Sequence, residues 1–167
     1  MREYPFLRFS VEKRGEWGNA GCTYSHIQLL KQLAEREGGG EGGQSYYMVF
    51  EDDARISPEL MISGLVEAPP DADVVLLSPT STKAVRIPYQ YGEDGYAVRV
   101  TQSYGALAYV VTSLGAGKVL RHLRGRGNDD PIDVAMHRAK GVRMYHPTNN
   151  AEAHHGMFKS TRRAANS

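Results

Sequence analysis

One segment governs the predicted fold, Tyr46-Tyr47-Met48-Val49-Phe50-Glu51-Asp52-Asp53, in which an apolar run passes directly into three carboxylates. A short continuous apolar run is typical of a strand buried on both faces, as in a parallel sheet between helices. Open α/β sheets bind ligands at the carboxyl ends of such strands. Adjacent carboxylates repel one another unless a cation or hydrogen-bond donors offset their charge. Two interpretations follow: a site for a hard cation, Mg²⁺ or Mn²⁺, or an acidic turn whose side chains lie in water.

Composition and charge narrow the function classes. The 167 residues carry 20 Lys+Arg against 19 Asp+Glu, and a formal charge of +1 argues against a dedicated nucleic-acid binder. A hydrophobic share of 41% and a charged share of 23% are ordinary for a soluble globular protein. The lone cysteine, Cys22, excludes an internal disulfide framework and is expected to be a small buried residue. Because the chain has no bilayer-spanning run and no signal peptide after Met1, we expect cytoplasmic localisation.

The patterns outside this segment alternate between helix and strand, which is typical of an α/β fold. They predict one domain over residues 1–150 and a polar, mobile C-terminal tail over residues 151–167. The predicted strands cover residues 4–11, 74–77, 106–111 and 142–145, with a hairpin over 84–101. The predicted helices start near Ser25, at Ser57, after residue 111 and at Pro131.

Two of these helix starts carry recognisable signals. Ser25 and Gln28 have the spacing of a capping box, which predicts that the first helix begins near Ser25. Ser57-Pro58-Glu59 supplies a cap, a proline for the first turn and an early acidic residue for the second helix. The expected core contacts of the second helix are Leu60, Met61 and Leu65.

Five short segments carry a resemblance to a known family. They are Gly21-Cys22-Thr23-Tyr24-Ser25-His26, Glu51-Asp52-Asp53, Asp73 to Leu77, Gly105 to Thr112 with Gly115-Ala116 and Lys118, and Pro131-Ile132-Asp133. Taken in this order over residues 21–133, they resemble the family 25 glycosyltransferases. That family includes enzymes of bacterial lipopolysaccharide synthesis and collagen galactosyltransferases.

The resemblance implies a glycosyltransferase-A-like, Rossmann-like fold in which helices flank a mixed sheet. It also implies a metal-dependent enzyme that transfers a hexose from a UDP-sugar to an acceptor hydroxyl with inversion. Family members begin with an apolar strand, an Arg-rich turn and a helix, which help to hold the nucleotide base. Here residues 1–20 precede the first matching segment, which leaves open whether that strand–helix unit is present.

The metal ligands follow from the resemblance, residue by residue. Glu51-Asp52-Asp53 stands in the place of the family's Asp-X-Asp-type motif, with Asp53 as the direct ligand, Glu51 as a further ligand and Asp52 supporting the donor site. Because such folds often complete the metal shell with a late histidine, His155 is the expected third ligand. An imidazole in the shell favours Mn²⁺ over Mg²⁺. The alternative is that His154 and His155 are exposed side chains of the tail.

Three further residues complete the candidate site. Asp133, in the matching segment Pro131-Ile132-Asp133, is the candidate base that takes the proton from the acceptor hydroxyl. Its alternative role is the N-cap of the following helix. Ser25 and His26 are expected beside the donor, Ser25 as a helix cap and His26 facing the sheet or the donor. The alternative for His26 is a buried structural residue whose ring nitrogens are hydrogen-bonded.

Three functions remain open from the sequence. The first is a hexosyltransferase with a nucleotide-sugar donor and a glycan or other hydroxyl acceptor, and with neither a nucleic-acid partner nor a membrane span. The second is a metal-dependent phosphohydrolase or nuclease built on the same carboxylates. The third is a non-catalytic module that binds a nucleotide sugar or a carbohydrate without turning it over.

Overall fold

A computed structural model of the protein describes residues 16–35, 45–78, 83–92, 95–124, 130–149 and 152–155. Within these ranges it contains four helices and eight strands. The helices are α1 (Glu16–Glu35), α2 (Pro58–Ser63), α3 (Ser113–Arg124) and α4 (Ile132–Arg138). The strands are β1 (Tyr46–Phe50), β2 (Ala54–Ile56), β3 (Val74–Leu76), β4 (Lys83–Pro88), β5 (Tyr96–Gln102), β6 (Ala108–Thr112), β7 (Met144–Tyr145) and β8 (Ala153–His155). The strand predicted at residues 4–11 lies outside the described residues.

Six strands form one mixed sheet in the order β1-β6-β3-β7-β5-β4. Among its pairs only β3 and β7 run parallel, and the others are antiparallel. This confirms the mixed α/β class with a sheet flanked by helices.

The prediction that β1 is buried on both faces in a parallel sheet is wrong. In the described part of the sheet β1 is an edge strand, and its single neighbour β6 runs antiparallel to it. Val49 is buried, whereas the side chains that point to the other face are exposed, with fractions of 60% for Tyr46 and 44% for Met48. An apolar run shows that a segment is strand-like, but it does not reveal how many of its faces are covered.

Two hydrophobic clusters pack on opposite faces of the sheet. One face of α1 contributes Ile27, Leu30 and Leu33 to the first cluster, and apolar residues of α3 and α4 join it. Leu60 of α2 packs in the second cluster, on the other face, together with Ala153 of β8. Successive residues of the central strands alternate between the clusters, with Val74 in the first and Val75 in the second. The central strands of the sheet are therefore covered on both sides.

The capping-box prediction at Ser25 is wrong. Helix α1 begins at Glu16, so Ser25 lies inside the helix rather than at its start. Its hydroxyl donates to the carbonyl of Gly21 over 3.0 Å, a bond within the helix that serine side chains commonly form. Ser25 is exposed, and the spacing to Gln28 arises without a helix terminus.

The start of α2 is confirmed. Ser57 is its N-cap, and the hydroxyl of Ser57 accepts a hydrogen bond from the backbone N–H of Leu60 over 3.2 Å. The helix ends at Gly64, whose φ of 61° is the left-handed conformation favoured by glycine. Only one of the three expected core contacts holds. Leu60 is buried, but a helix of six residues turns only one narrow face to the sheet, so Met61 is exposed. Leu65 lies beyond the end of the helix and is exposed as well.

A two-stranded sheet of β2 and β8 was not predicted. The strands run antiparallel and pair Ala54 with His155, so part of the segment predicted as a tail returns to the residues that follow β1. The backbone N–H of Ala153 also donates to the carbonyl of Leu77 over 2.8 Å, which joins this small sheet to the end of β3. Of the helices described, none has both the length and the apolar character needed to cross a membrane.

Candidate functional site

One end of the six-stranded sheet holds residues 51–53, His26 and Asp133, whereas Ser25 is exposed on α1 and bonds within its own helix. The chain leaves β1 and β3 at this end and enters β6 there, because β6 runs antiparallel to both. The backbone N–H of Glu51 donates to the carbonyl of Leu107 over 2.8 Å, and that of Leu77 donates to Ala108 over 3.0 Å. We call residues 51–53 together with the facing loop 105–107 the acidic edge. The prediction that ligands bind where the apolar strand ends concerns this edge of the sheet.

Glu51 points toward α1. Its Oε1 atom accepts a hydrogen bond from the thiol of Cys22 over 3.4 Å and lies 3.4 Å from Nε2 of His26. Cys22 and His26 are four residues apart on α1, so both side chains lie on the same face of the helix. His26 is buried, whereas the Glu51 side chain keeps 24% of its surface exposed. The three side chains thus form a partly accessible cluster, the Cys22–His26–Glu51 cluster, at the acidic edge.

Tyr109, a residue of the central strand β6, contacts this cluster through His26. It is fully buried on β6, and its hydroxyl lies 2.8 Å from Nδ1 of His26. Burial raises the pKa of the Tyr109 phenol, and negative charge on Cys22 and Glu51 raises that pKa further. Tyr109 therefore stays protonated at neutral pH and either donates to the ring of His26 or accepts from it. The choice decides whether Nε2 of His26 presents a proton or a lone pair to Glu51.

Asp52 and Asp53 lie in a turn between β1 and β2. The backbone N–H of Ala54 donates to the carbonyl of Glu51 over 3.1 Å and closes this turn. Asp52 is exposed and Asp53 is partly buried. The backbone of His155 pairs with Ala54, the residue that follows Asp53. The side chains of His154 and His155 lie outside what the structure describes, so the role of His155 as a ligand stays a prediction.

Asp133 contacts the backbone of the loop 105–107, which is part of the acidic edge. It lies in the first turn of α4, whose N-cap is Pro131, so Asp133 is not the cap residue. Its Oδ2 atom accepts from the N–H of Gly105 over 2.6 Å, and its Oδ1 atom accepts from the N–H of Val134 over 2.8 Å. The carboxylate therefore fixes the loop 105–107 to α4 and is held in one orientation beside the acidic edge.

Other residues of the matching segments lie at the opposite end of the sheet. Both carboxylate oxygens of Asp73 accept hydrogen bonds from Nζ of Lys118 over 2.7 Å, and one of them also accepts from the N–H of Arg143. A groove of about 430 Å³ opens at this end, beside Asp73 and the exposed carboxylate of Glu67. Because Asp73 is buried and bonded on both oxygens, we interpret it as part of the structural frame.

Sequence reasoning missed the contacts of Cys22 and Tyr109. Cys22 was expected to be a small buried residue, but it is only partly buried and faces a carboxylate. The available signal was the spacing of four residues between Cys22 and His26, which places two side chains on one face of a helix. That signal depends on a helix that includes both residues, and the predicted helix began near Ser25.

The resemblance to the family 25 glycosyltransferases is an expectation from the sequence that rests on the order of five segments. Three of these segments meet at the acidic edge: Gly21–His26, Glu51–Asp53 and the start of the segment Gly105–Thr112. Asp133 joins them through its bond to Gly105. Neither a scan against protein-family models nor a search of curated proteins gives a match to this chain.

Proposed function

We propose that the protein is a metal-dependent glycosyltransferase that moves a hexose from a UDP-sugar to a hydroxyl acceptor, with inversion, at the acidic edge. One observation carries this proposal: segments that lie far apart in the sequence converge on the carboxylates that follow β1. Residues near positions 22–26, 51–53, 105–109 and 133 are linked there by direct contacts. These contacts support a donor site and a base at the same end of the sheet.

The residues at the turn after β1 fit a hard divalent cation, Mn²⁺ or Mg²⁺. Their donor atoms are carboxylate oxygens, one side chain is exposed and the other is partly buried. Since Oε1 of Glu51 faces Cys22 and His26, we assign direct ligation to Asp53 and a supporting role, through water, to Glu51. His155 is the third proposed ligand. When bound, such a cation offsets the negative charge that grows on the leaving diphosphate.

Asp133 is the proposed base. An inverting displacement needs a carboxylate that takes the acceptor proton on the face opposite the leaving group. Each carboxylate oxygen has two lone pairs, so the bonds from Gly105 and Val134 leave acceptor capacity on both atoms. These bonds also suit a carboxylate that only positions the loop. This second role is the specific reason to keep a non-catalytic sugar-binding module as the alternative.

Thermal unfolding of the full chain with UDP, UDP-glucose and UDP-galactose, each with and without Mn²⁺, tests the donor site. A ligand that binds only the folded state at one hundred times its Kd stabilises that state by about 2.7 kcal/mol. We expect a Mn²⁺-dependent rise in Tm with at least one donor, and its loss in Asp53→Ala. The matched control is Glu67→Ala, which removes an exposed carboxylate from the opposite end of the sheet and should keep the rise.

The outcomes separate the candidate functions. A donor-dependent rise, followed by sugar transfer to an acceptor that Asp133→Asn abolishes while donor binding persists, supports the transferase. If both the wild type and Asp133→Asn bind the donor and neither transfers the sugar, the result favours the binding module. Release of phosphate from simple phosphoesters, without selectivity for nucleotide sugars, favours a phosphohydrolase. If no donor raises the Tm of a cooperatively unfolding protein, the proposed donor site is wrong.

A further inference from the structure

Three different metal-binding groups meet in the Cys22–His26–Glu51 cluster. The thiol sulfur of Cys22, Nε2 of His26 and Oε1 of Glu51 all lie within 4.8 Å of one another. Two of the separations are 3.4 Å, from Oε1 of Glu51 to the sulfur and to Nε2. A thiolate, an imidazole and a carboxylate are the three ligand types that proteins use for Zn²⁺.

The two separations match the edges of a tetrahedral zinc site. With Zn–S at about 2.3 Å and Zn–N and Zn–O at about 2.0 to 2.1 Å, tetrahedral angles place neighbouring ligand atoms about 3.3 to 3.6 Å apart. A direct N–H···O hydrogen bond is shorter, at about 2.7 to 3.2 Å. The 3.4 Å between His26 and Glu51 therefore suits two ligands of one ion better than it suits a hydrogen-bonded pair.

The surroundings of the cluster hold the ligands in place. Helix α1 fixes Cys22 and His26 one turn apart on the same face. The hydroxyl of Tyr109, 2.8 Å from Nδ1 of His26, can accept the ring N–H and so leave the lone pair of Nε2 directed at Glu51. Metal-binding histidines nearly always donate their other N–H to a fixed partner of this kind. Tyr109 acts here as a positioning residue.

We propose that Cys22, His26 and Glu51 bind a Zn²⁺ ion, with the fourth coordination position open to water or to a ligand. Sulfur among the ligands selects Zn²⁺ over Mg²⁺ and Mn²⁺, which prefer oxygen. Three protein ligands with one open position distinguish zinc sites that react from closed structural ones. The exposed quarter of the Glu51 side chain gives the ion access from solvent. This site shares Glu51 with the proposed donor site, but it uses neither Asp53 nor a nucleotide sugar, so it does not rest on the proposed function.

Cobalt spectroscopy of the full chain tests this site directly. The reduced protein is stripped with a chelator and titrated with Co²⁺, which reports a bound thiolate by a charge-transfer band in the near ultraviolet. We expect one equivalent of Co²⁺ to give this band and Zn²⁺ to displace it. Cys22→Ser should abolish the band and weaken Zn²⁺ binding by more than about tenfold, because it removes one of three ligands.

Two further variants define the ligand shell. Glu51→Gln should keep the band but weaken metal binding, because an amide oxygen carries no charge. Tyr109→Phe keeps the ring volume and removes only the hydroxyl, so it should keep the band and weaken binding by about 10- to 100-fold. Asp53→Ala should change neither the band nor the affinity. If Cys22→Ser still binds the donor in a Mn²⁺-dependent manner, the proposed donor site does not depend on the proposed zinc site.

Several results would overturn the zinc site. They are a titration with no thiolate band, a band that survives in Cys22→Ser, and Zn²⁺ affinity that is unchanged by all three variants. The first of these would show that the thiol of Cys22 does not bind the metal ion. If Cys22→Ser does not fold, X-ray absorption of the zinc-loaded wild-type chain decides the question, because the proposal requires one sulfur in the first coordination shell.

Discussion

Asp133 fixes the loop 105–107 to the first turn of α4. Oδ2 accepts from the N–H of Gly105 and Oδ1 accepts from the N–H of Val134. In Asp133→Asn only one of the two atoms can still accept, so one partly buried N–H loses its acceptor. We expect the free energy of unfolding to fall by about 1 to 3 kcal/mol, measured by urea denaturation without ligand.

The control for this change is Glu67→Gln, which removes the charge of an exposed side chain and should stay within about 0.5 kcal/mol of the wild type. If Asp133→Asn unfolds at the wild-type urea concentration, Asp133 does not stabilise the loop 105–107. The role of Asp133 as a base would then be better supported, because its carboxylate would not be needed for the stability of the fold.

The sequence could identify Asp133 as a candidate base, but it could not predict that Asp133 accepts a hydrogen bond from Gly105. The bond to Gly105 spans 28 residues, and the contact of His26 with Tyr109 spans 83. Such contacts depend on how the helices pack on the sheet, which no local pattern encodes. The Cys22–His26 spacing is local, but its meaning changes with the helix boundary. A start near Ser25 leaves Cys22 outside the helix, whereas the observed start at Glu16 places both residues on one face.

Elements with a buried face and a clear terminus could be predicted well. The buried strands β3 and β6 and the hairpin of β4 and β5 lie where their patterns predict them. The start of α2 is confirmed because Ser57 and Pro58 act locally at a helix terminus. The pairing of β2 with β8 could not be predicted, since strands of three residues carry little pattern and their partner lies about 100 residues away.

Helix α3 shows why one glycine of the matching segments is required. A Cβ atom added at Gly115 would lie 2.5 Å from the backbone carbonyl oxygen of Asp73, which cannot move aside without shifting β3. Gly115→Ala should therefore lower the free energy of unfolding by about 1 to 3 kcal/mol, because overpacking forces a backbone shift. Chemical denaturation followed by circular dichroism measures this loss.

Gly117 in the same helix is the matched control. An added Cβ there meets only the end of the Arg121 side chain, at 3.6 Å. Because alanine has the better helix propensity, Gly117→Ala should raise the free energy of unfolding by about 0.5 to 1 kcal/mol. Equal effects of the two substitutions would contradict the close approach of α3 to β3.

The two ends of the six-stranded sheet hold different groups of residues. The Cys22–His26–Glu51 cluster and Asp133 lie around the acidic edge, whereas Asp73, Gly115 and Lys118 lie at the other end. The segments that carry the sequence resemblance therefore include residues of two kinds, some at the acidic edge and some that hold α3, β3 and the start of β7 together. Motif order alone cannot separate these kinds, because both appear simply as matching residues.

Lys118 tests this division. Asp73 is buried with a side-chain exposure of 3%, and Lys118→Met would leave its charge without the nearest cation. Breaking a buried ion pair from one side costs about 3 to 5 kcal/mol, so urea denaturation should show a large loss of stability. Lys140→Met, at an exposed position, should stay within about 0.5 kcal/mol of the wild type.

Binding should respond differently from stability. At a temperature where Lys118→Met is folded, its Co²⁺ affinity should equal that of the wild type, because Lys118 contacts none of the proposed ligands. The losses of stability in Lys118→Met and Cys22→Ser should add within about 0.5 kcal/mol in the double variant, as expected for sites without shared partners. A tenfold weaker Co²⁺ affinity in folded Lys118→Met would show instead that the ion pair of Asp73 and Lys118 influences the geometry of the Cys22–His26–Glu51 cluster at the other end of the sheet.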